Sequence, residues 1–298
     1  GLIVLDEEHD DSYKQDSHPR YRTHSVAEYR AKKNHCPLIL GSATPAIDTY
    51  FHNDPSQNSE LREQTDSTIL ALKHRVHNTA LPKVSIIDMQ KEWVTNKRHL
   101  LSLSLEHAIE QRLNNSEKTL LLLNRRGFAP YVICQKCAKP FSCPECNLSY
   151  TYHKDKTFRC HRCHTFTQMT HTCPSCKKPT LSFTGTGTQK LEIELLKYFP
   201  DARIDRLDRD SAKTAKQLEE ILDTFKKSGD ILIGTQLIAK GHHIEDVSLV
   251  GVIGIDTTLN IPDFRSSERT FQLITQVAGR SGRGKVVGDV IVQTNQPD

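Results

Sequence analysis

The chain opens on Gly1-Leu2-Ile3-Val4-Leu5-Asp6-Glu7-Glu8-His9, an apolar run that breaks abruptly into acid. A run of this length reads as a buried parallel strand, and its acidic end falls where parallel sheets place their chemistry. The pattern recurs at Leu38-Ile39-Leu40, which runs into the small-residue loop Gly41-Ser42-Ala43-Thr44-Pro45. Residues 1–52 therefore read as the tail of one α/β lobe whose beginning lies elsewhere.

Working outward, residues 53–98 read as a linking and crossing segment. Its first part is polar without an apolar period, and two short strands, near Ile69–Leu72 and Val84–Asp88, carry the chain over. The segments 99–133 and 181–298 read as a second lobe. Ser104–Leu113 has Leu105, Ala108, Ile109 and Leu113 at helical spacing. Strands are expected at Thr119–Leu123, Ala202–Leu207, Ile231–Gly234, Leu249–Ile255 and Asp289–Gln293. Helices are expected at Gln189–Tyr198, Ala215–Lys226 and Glu268–Gln276. Such alternation predicts a parallel sheet with helices on both faces.

Residues 134–180 interrupt that lobe with four C-x-x-C pairs: Cys134/Cys137, Cys143/Cys146, Cys160/Cys163 and Cys173/Cys176. Two residues between thiolates let both sulfurs of a knuckle reach one tetrahedral Zn²⁺. Eight thiolates make two closed Cys₄ sites. Spacing alone leaves the combination of pairs open: adjacent, crossed or nested. Disulfides or an iron–sulfur cluster are the alternatives, and the regular knuckles favour zinc. His153, His161, His164 and His171 are further possible ligands, none of them needed. Cys36 is left over and reads as a buried, inert thiol.

Composition bounds the rest. The chain has 298 residues and a formal net charge of +4, and its mean hydropathy is −0.53. No stretch is long and apolar enough to span a bilayer, and the apolar start does not read as a secretion signal. The expectation is a soluble, intracellular protein. Within the insert, Lys136, Lys139, Lys154, Lys156, Arg159, Arg162, Lys177 and Lys178 face only Glu145 and Asp155. Two Cys₄ zinc sites carry a net charge of about −2 each, which leaves the insert mildly basic.

Phosphoryl transfer to water needs one carboxylate on Mg²⁺ and another group that positions the water. Asp6 and Glu7 at a strand end suit those roles, although an acidic loop capping a helix would read alike. Gly234-Thr235-Gln236 and Ala239-Lys240-Gly241-His242-His243 follow another strand. Gln276 through Gly284 follows a helix and carries Arg280 and Arg283, three apart on one helical face. Two arginines between glycines suit a phosphate arriving across a cleft.

Taken in this order, these motifs resemble those of superfamily 2 helicases. More closely, they resemble the replication-restart helicase family of primosomal protein N′ (PriA), along essentially the whole chain. Leu5 through Asp10 resembles that family's DEEH motif, with Glu8 and His9 in ATP binding and coupling. Gly41 through Ala46 resembles its coupling motif, with Ser42 and Thr44. Leu123 through Pro130 stands where the family enters its zinc insert. Ile231 through His243, with Gly241, and Gln276 through Arg283 resemble its last two motifs.

The resemblance implies RecA-like lobes and a nested metal arrangement. Cys134, Cys137, Cys173 and Cys176 would share one zinc, and Cys143, Cys146, Cys160 and Cys163 the other. It also implies that Tyr13, Lys14, Arg20, Tyr21 and Arg22 belong to an aromatic-rich loop coupling DNA to ATP hydrolysis. Pro19 stands where relatives often carry Trp. No G-x-x-x-x-G-K-[S/T] loop occurs, so the chain is expected to be a fragment, inactive alone. The implied function is a 3′-to-5′ DNA helicase using ATP with Mg²⁺ and two Zn²⁺. It would act on single-stranded and forked DNA with single-strand-binding protein and other primosome proteins, in the bacterial cytoplasm at the nucleoid. A zinc-dependent assembly scaffold and an RNA helicase are the rival readings.

Overall fold

The computed structural model describes residues 1–15, 17–53, 68–72, 80–95, 100–124, 132–134, 136–137, 141–147, 150–152, 156–160, 162–182, 187–208, 211–235, 238, 244, 247–261, 263–282 and 288–297. They fall into two units, Gly1–Arg75 and Val76–Asp298.

In the first unit, β1 (Ile3–Asp6) and β2 (Leu38–Gly41) pair in parallel, with Asp6 beside Gly41. Helix α1 (Thr23–Lys33) links them, and α2 (Ile47–Asn53) follows the small-residue loop. Leu5 is buried, together with Ala27 and Ala31 of α1. On the opposite face of the strand pair, Val4 and Ile39 are exposed within this chain. Cys36 is half-buried, not buried as expected; it sits beyond the end of α1, where its amide bonds to the Ala31 carbonyl.

The second unit is built on a six-stranded sheet. Its strands are β3 (Lys83–Asp88), β4 (Lys118–Leu123), β10 (Ile204–Leu207), β11 (Ile231–Gly234), β12 (Val247–Ile253) and β13 (Asp289–Thr294). They run in the order β10-β11-β4-β12-β13-β3, and every pair is parallel. The expected strands and helices of this lobe are all present, within a few residues at their ends. One assignment changes: residues 83–88 are not part of a crossing but the edge strand of this sheet, hydrogen-bonded to β13. Residues 68–72 form no strand.

Side-chain alternation along β4 explains the layering. Leu120 and Leu122 enter one core with Leu222 and Phe225 of α6 (Ala215–Ser228) and Leu273 and Val277 of α8 (Ser266–Ala278). Leu121 and Leu123 enter the other with Leu105 and Ile109 of α4 (Leu103–Asn114) and Leu191 and Leu195 of α5 (Thr188–Tyr198). A strand covered on both faces must be apolar on both, hence the unbroken leucines. Helix α4 lies so close to β12 that a Cβ on Gly251 would meet Leu121 at 2.6 Å and Leu105 at 3.0 Å. Two short helices, α3 (Met89–Thr95) and α7 (Asp256–Leu259), complete the unit. Among the described residues, no helix is long and apolar enough to cross a membrane.

The insert leaves this unit through β5 (Ile133–Cys134), which pairs antiparallel with β9 (Leu181–Ser182). Beyond that neck, β6 (Thr151–Tyr152), β7 (Thr157–Arg159) and β8 (Phe166–Gln168) form an antiparallel sheet. The insert has its own small core, in which Phe141 packs on Phe158 and Tyr150 at ring distances of 5.0 and 5.1 Å.

Candidate nucleotide and metal sites

Parallel pairing of Asp6 with Gly41 sets the acidic turn beside the Ser42–Thr44 loop. Asp6 Oδ1 accepts the Glu7 amide at 3.0 Å. Glu7 has a left-handed backbone, φ 50°, a conformation that costs a residue with a Cβ about 1–2 kcal/mol. Such strain collects where a side chain must be aimed. The Glu7 carboxylate lies 3.6 Å from His9 Nδ1, and the same nitrogen is hydrogen-bonded to Ser42 Oγ at 2.7 Å. Ser42 Oγ also accepts the Thr44 amide at 3.0 Å. The acidic turn and the hydroxyl loop are thus joined through one imidazole.

Glu8 faces the other way. It is 3% exposed, and its carboxylate accepts the Ala46 amide at 2.6 Å and the Thr49 hydroxyl at 3.1 Å, and pairs with His24 Nε2 at 3.1 Å. A buried carboxylate with three partners is a brace. It fixes the strand end to α1 and α2. His24 and Thr49 were not legible as site residues, because a lone histidine or threonine on a polar helix carries no spacing signal.

The segment from Lys14 to Arg22 folds back on itself, with Lys14 bridging Arg22 and the Gln15 amide on the Tyr21 carbonyl at 2.9 Å. Tyr13 is tied to the acidic strand: its hydroxyl donates to the Asp6 carbonyl at 2.7 Å, and its ring meets His24 edge-on. Tyr21 is exposed. Arg22 pairs with Asp48 at 2.9 Å. Arg20 is exposed near Tyr21 in sequence.

In the second unit, Thr235 follows β11, while Gln236 and Gly241 lie outside the described residues. Gln276 is half-buried near the end of α8. That helix stops at Ala278 with Gly279 as its cap. Arg280 therefore stands in the turn beyond, not on a helical face; it is 9% exposed and its amide bonds to the Val277 carbonyl. Arg283 lies outside the described residues, so the expected arginine pair is represented by Arg280 alone.

The eight cysteines gather into two sets. The outer pairs, Cys134, Cys137, Cys173 and Cys176, form one, and the inner pairs, Cys143, Cys146, Cys160 and Cys163, the other; ligand atoms within each set all lie within 4.8 Å. The S···S distances are 3.6 Å (Cys134–Cys176), 3.7 Å (Cys137–Cys173), 3.4 Å (Cys143–Cys163) and 3.3 Å (Cys146–Cys160). They are far longer than a disulfide. They approach the edge of a tetrahedron with 2.3 Å arms, roughly 3.8 Å. Each set can hold one metal ion.

Local backbone explains the knuckles. Asn147, His164 and Lys177 each follow the second cysteine of a pair, and each has φ near 60°. Their amides return to the carbonyls of Cys143, Cys160 and Cys173 at 2.8–3.0 Å. Neither set includes His164 or His171, while His153 and His161 lie outside the described residues. Two threonines sit against the sulfurs, Thr180 Oγ1 at 2.9 Å from Cys134 and Thr165 Oγ1 at 3.1 Å from Cys163. Burial pushes the Cys134 thiol up, but Thr180 and the amides of Cys137 and Lys136 outweigh it and bring the group down to about 6. The same competition lowers Cys160 through the amides of Cys163 and Arg162, and Thr165 lowers Cys163. All three favour the thiolate, the form that binds metal.

Residues 146–285 match the helicase conserved C-terminal domain, and the second unit has the RecA-like fold of that domain. The chain is 43% identical over its whole length to replication restart protein PriA of Bacillus subtilis and 40% identical to that of Synechocystis, covering 36% of each. The PriA of Chlamydia muridarum is 41% identical, with 39% of it covered. The chain thus spans little more than a third of the length of these relatives. Among solved structures, Saccharomyces cerevisiae Dbp5 bound to RNA and ADP BeF3 is similar over 99% of this chain and 54% of its own, at 13% identity and TM-score 0.43. The helicase MrfA bound to DNA and AMPPNP is similar over 98% of this chain and 30% of its own, at 15% identity and TM-score 0.45.

Proposed function

We propose, taking the end-to-end similarity to PriA as the premise, that this chain works within an ATP-dependent DNA helicase. In the complete protein it travels 3′ to 5′, acts at stalled or branched forks, and starts primosome assembly with single-strand-binding protein and the other primosome proteins. Its place is the bacterial cytoplasm, at the nucleoid.

In this reading, Asp6 holds Mg²⁺, whose charge offsets that of the phosphates, and Glu7 orients the attacking water. Arg280 and Arg283 stabilise the charge of the transferring phosphate. His9 and Ser42 pass the state of the acidic turn to the hydroxyl loop, with Thr44, Gly241 and Gln276 completing the nucleotide and coupling contacts. Lys14, Arg20, Tyr21 and Arg22 meet DNA, and Tyr13 carries the response to the Asp6 strand end. The observation that carries the reading is the Glu7–His9–Ser42 contact, which links two motifs far apart in sequence.

Both cysteine sets are read as zinc sites: four thiolates, no open position, and separations close to a tetrahedral edge. The phosphate-binding lysine has to come from outside these 298 residues, so the chain alone is expected to be inactive in ATP turnover.

The test is ATP hydrolysis by the protein with its phosphate-binding lobe present, with and without forked DNA, beside Glu7→Gln. DNA-stimulated turnover should fall by two orders of magnitude or more in the variant. Turnover unchanged by the substitution removes Glu7 from its role. An intact, zinc-loaded protein that assembles partners on forks but never hydrolyses ATP is instead a scaffold.

A further inference from the structure

The insert carries a face that no motor motif uses. In the β6–β7–β8 sheet the register sets Phe158 opposite Thr167, and Arg159 opposite Phe166. Phe158 is wholly buried. By strand alternation, Thr157, Arg159, Phe166 and Gln168 share the other face. There Phe166, at the start of the edge strand β8, is 66% exposed and takes no part in the neighbouring aromatic core. Arg159 Nε donates to Thr157 Oγ1 at 3.1 Å, which anchors the guanidinium along the same face. Lys156 and Arg162 are exposed near the two ends of β7.

Charge singles out the partner. No aspartate or glutamate occurs from Lys156 to Leu191, whereas Lys156, Arg159, Arg162, Lys177, Lys178 and Lys190 do. The thiolates of this stretch point into the two metal sets, where a bound Zn²⁺ would offset about half of their charge. An exposed ring among cations, with Asp155 the nearest carboxylate in sequence, matches a polyanion that also offers flat apolar faces. Duplex nucleic acid hides those faces in its stack, but a single strand exposes them.

We propose that the open face of the β6–β8 sheet is a platform for single-stranded nucleic acid, with a base on Phe166 and neighbouring phosphates on Arg159 and Lys156. This deepens the reading of the protein as a DNA motor, yet the contact does not require hydrolysis.

The experiment uses the zinc-loaded 298-residue chain and a single-stranded oligonucleotide carrying 5-iodouracil. Crosslinking should map to Phe166 or its strand neighbours. Phe166→Ala should weaken this binding by roughly 5- to 150-fold, the range for one lost stacked base, and Phe166→Tyr should restore it. Arg159→Ala should flatten the salt dependence by about one phosphate. Zinc content and melting temperature should stay unchanged in each variant, because these side chains are outside the core. The platform is overturned by crosslinks that map elsewhere with Phe166→Ala binding normally, by an abasic oligonucleotide binding equally well, or by an acidic peptide displacing the strand. Any of these leaves the Glu7→Gln test untouched, and a failed Glu7→Gln test leaves a crosslink at Phe166 standing.

Discussion

Stripping metal from the two cysteine sets should unfold the insert and leave the six-stranded sheet standing. The insert's core holds Val132, Phe141, Tyr150, Phe158 and Leu181 beside its cysteines. Burying those five side chains is worth about 8–15 kcal/mol in all, at roughly 1.5–3 kcal/mol each. A structural zinc site contributes about 10–16 kcal/mol, so two sites outweigh the apolar core by about two to one. The two cores of the larger sheet contain no insert residue, so their stability does not depend on the metal. The assay is a chelator titration that follows released zinc by colour and amide exchange by mass spectrometry. Amides around Phe158 and Leu181 should lose protection as the metal leaves, while those of β4 and β12 keep theirs. Persistent protection of the insert after both metal equivalents are gone would refute the reasoning. So would loss of β4 protection in step with the insert.

Thr180→Val keeps the shape of the side chain but removes the hydroxyl against Cys134. Loss of such an outer partner should lower zinc affinity at that site by about 10- to 100-fold, measured by chelator competition, and Thr180→Ser should restore it. Asp263 is held below the usual carboxylate range by the Arg265 amide, against opposing burial, and by the Arg269 guanidinium. A depressed folded value contributes stability above the unfolded value of about 3.9, and the contribution is lost as pH falls through the folded value. Chemical denaturation of Asp263→Asn should therefore show a deficit at pH 7 that shrinks as pH drops below about 4. A deficit independent of pH would mean that the carboxylate's charge plays no part.

Much of the larger lobe was readable because its strands are apolar on both faces and its helices carry stripes, as in Leu105, Ile109 and Leu113. Helix α1 was not. It buries only Ala27 and Ala31, and two small residues make no stripe. Strand β3 was legible as a strand but not as a member of the second sheet, since its partner β13 is some two hundred residues away. Among the site residues, Asp6, Glu7 and Ser42 announced themselves by position at strand ends. The buried turn of Glu8 toward His24 and Thr49 depends on tertiary neighbours and leaves no local trace. The end of α8 falls at Gly279, whose backbone stays right-handed, and Arg280 stands in the turn beyond it. Spacing left the combination of cysteine pairs open; in the structure the β5–β9 neck brings the first and last pairs together.

That neck also bears on how such a chain is assembled. Because β5 and β9 lie side by side, the segment between them enters and leaves the host sheet at almost one point. Closing so narrow a gap with a short turn costs little chain entropy, and the cost rises only slowly with the length of the excursion. The parallel order of the host strands is therefore indifferent to what hangs from this doorway. Modules of very different size could be exchanged there over evolution, or in the laboratory, without the sheet having to be rewired.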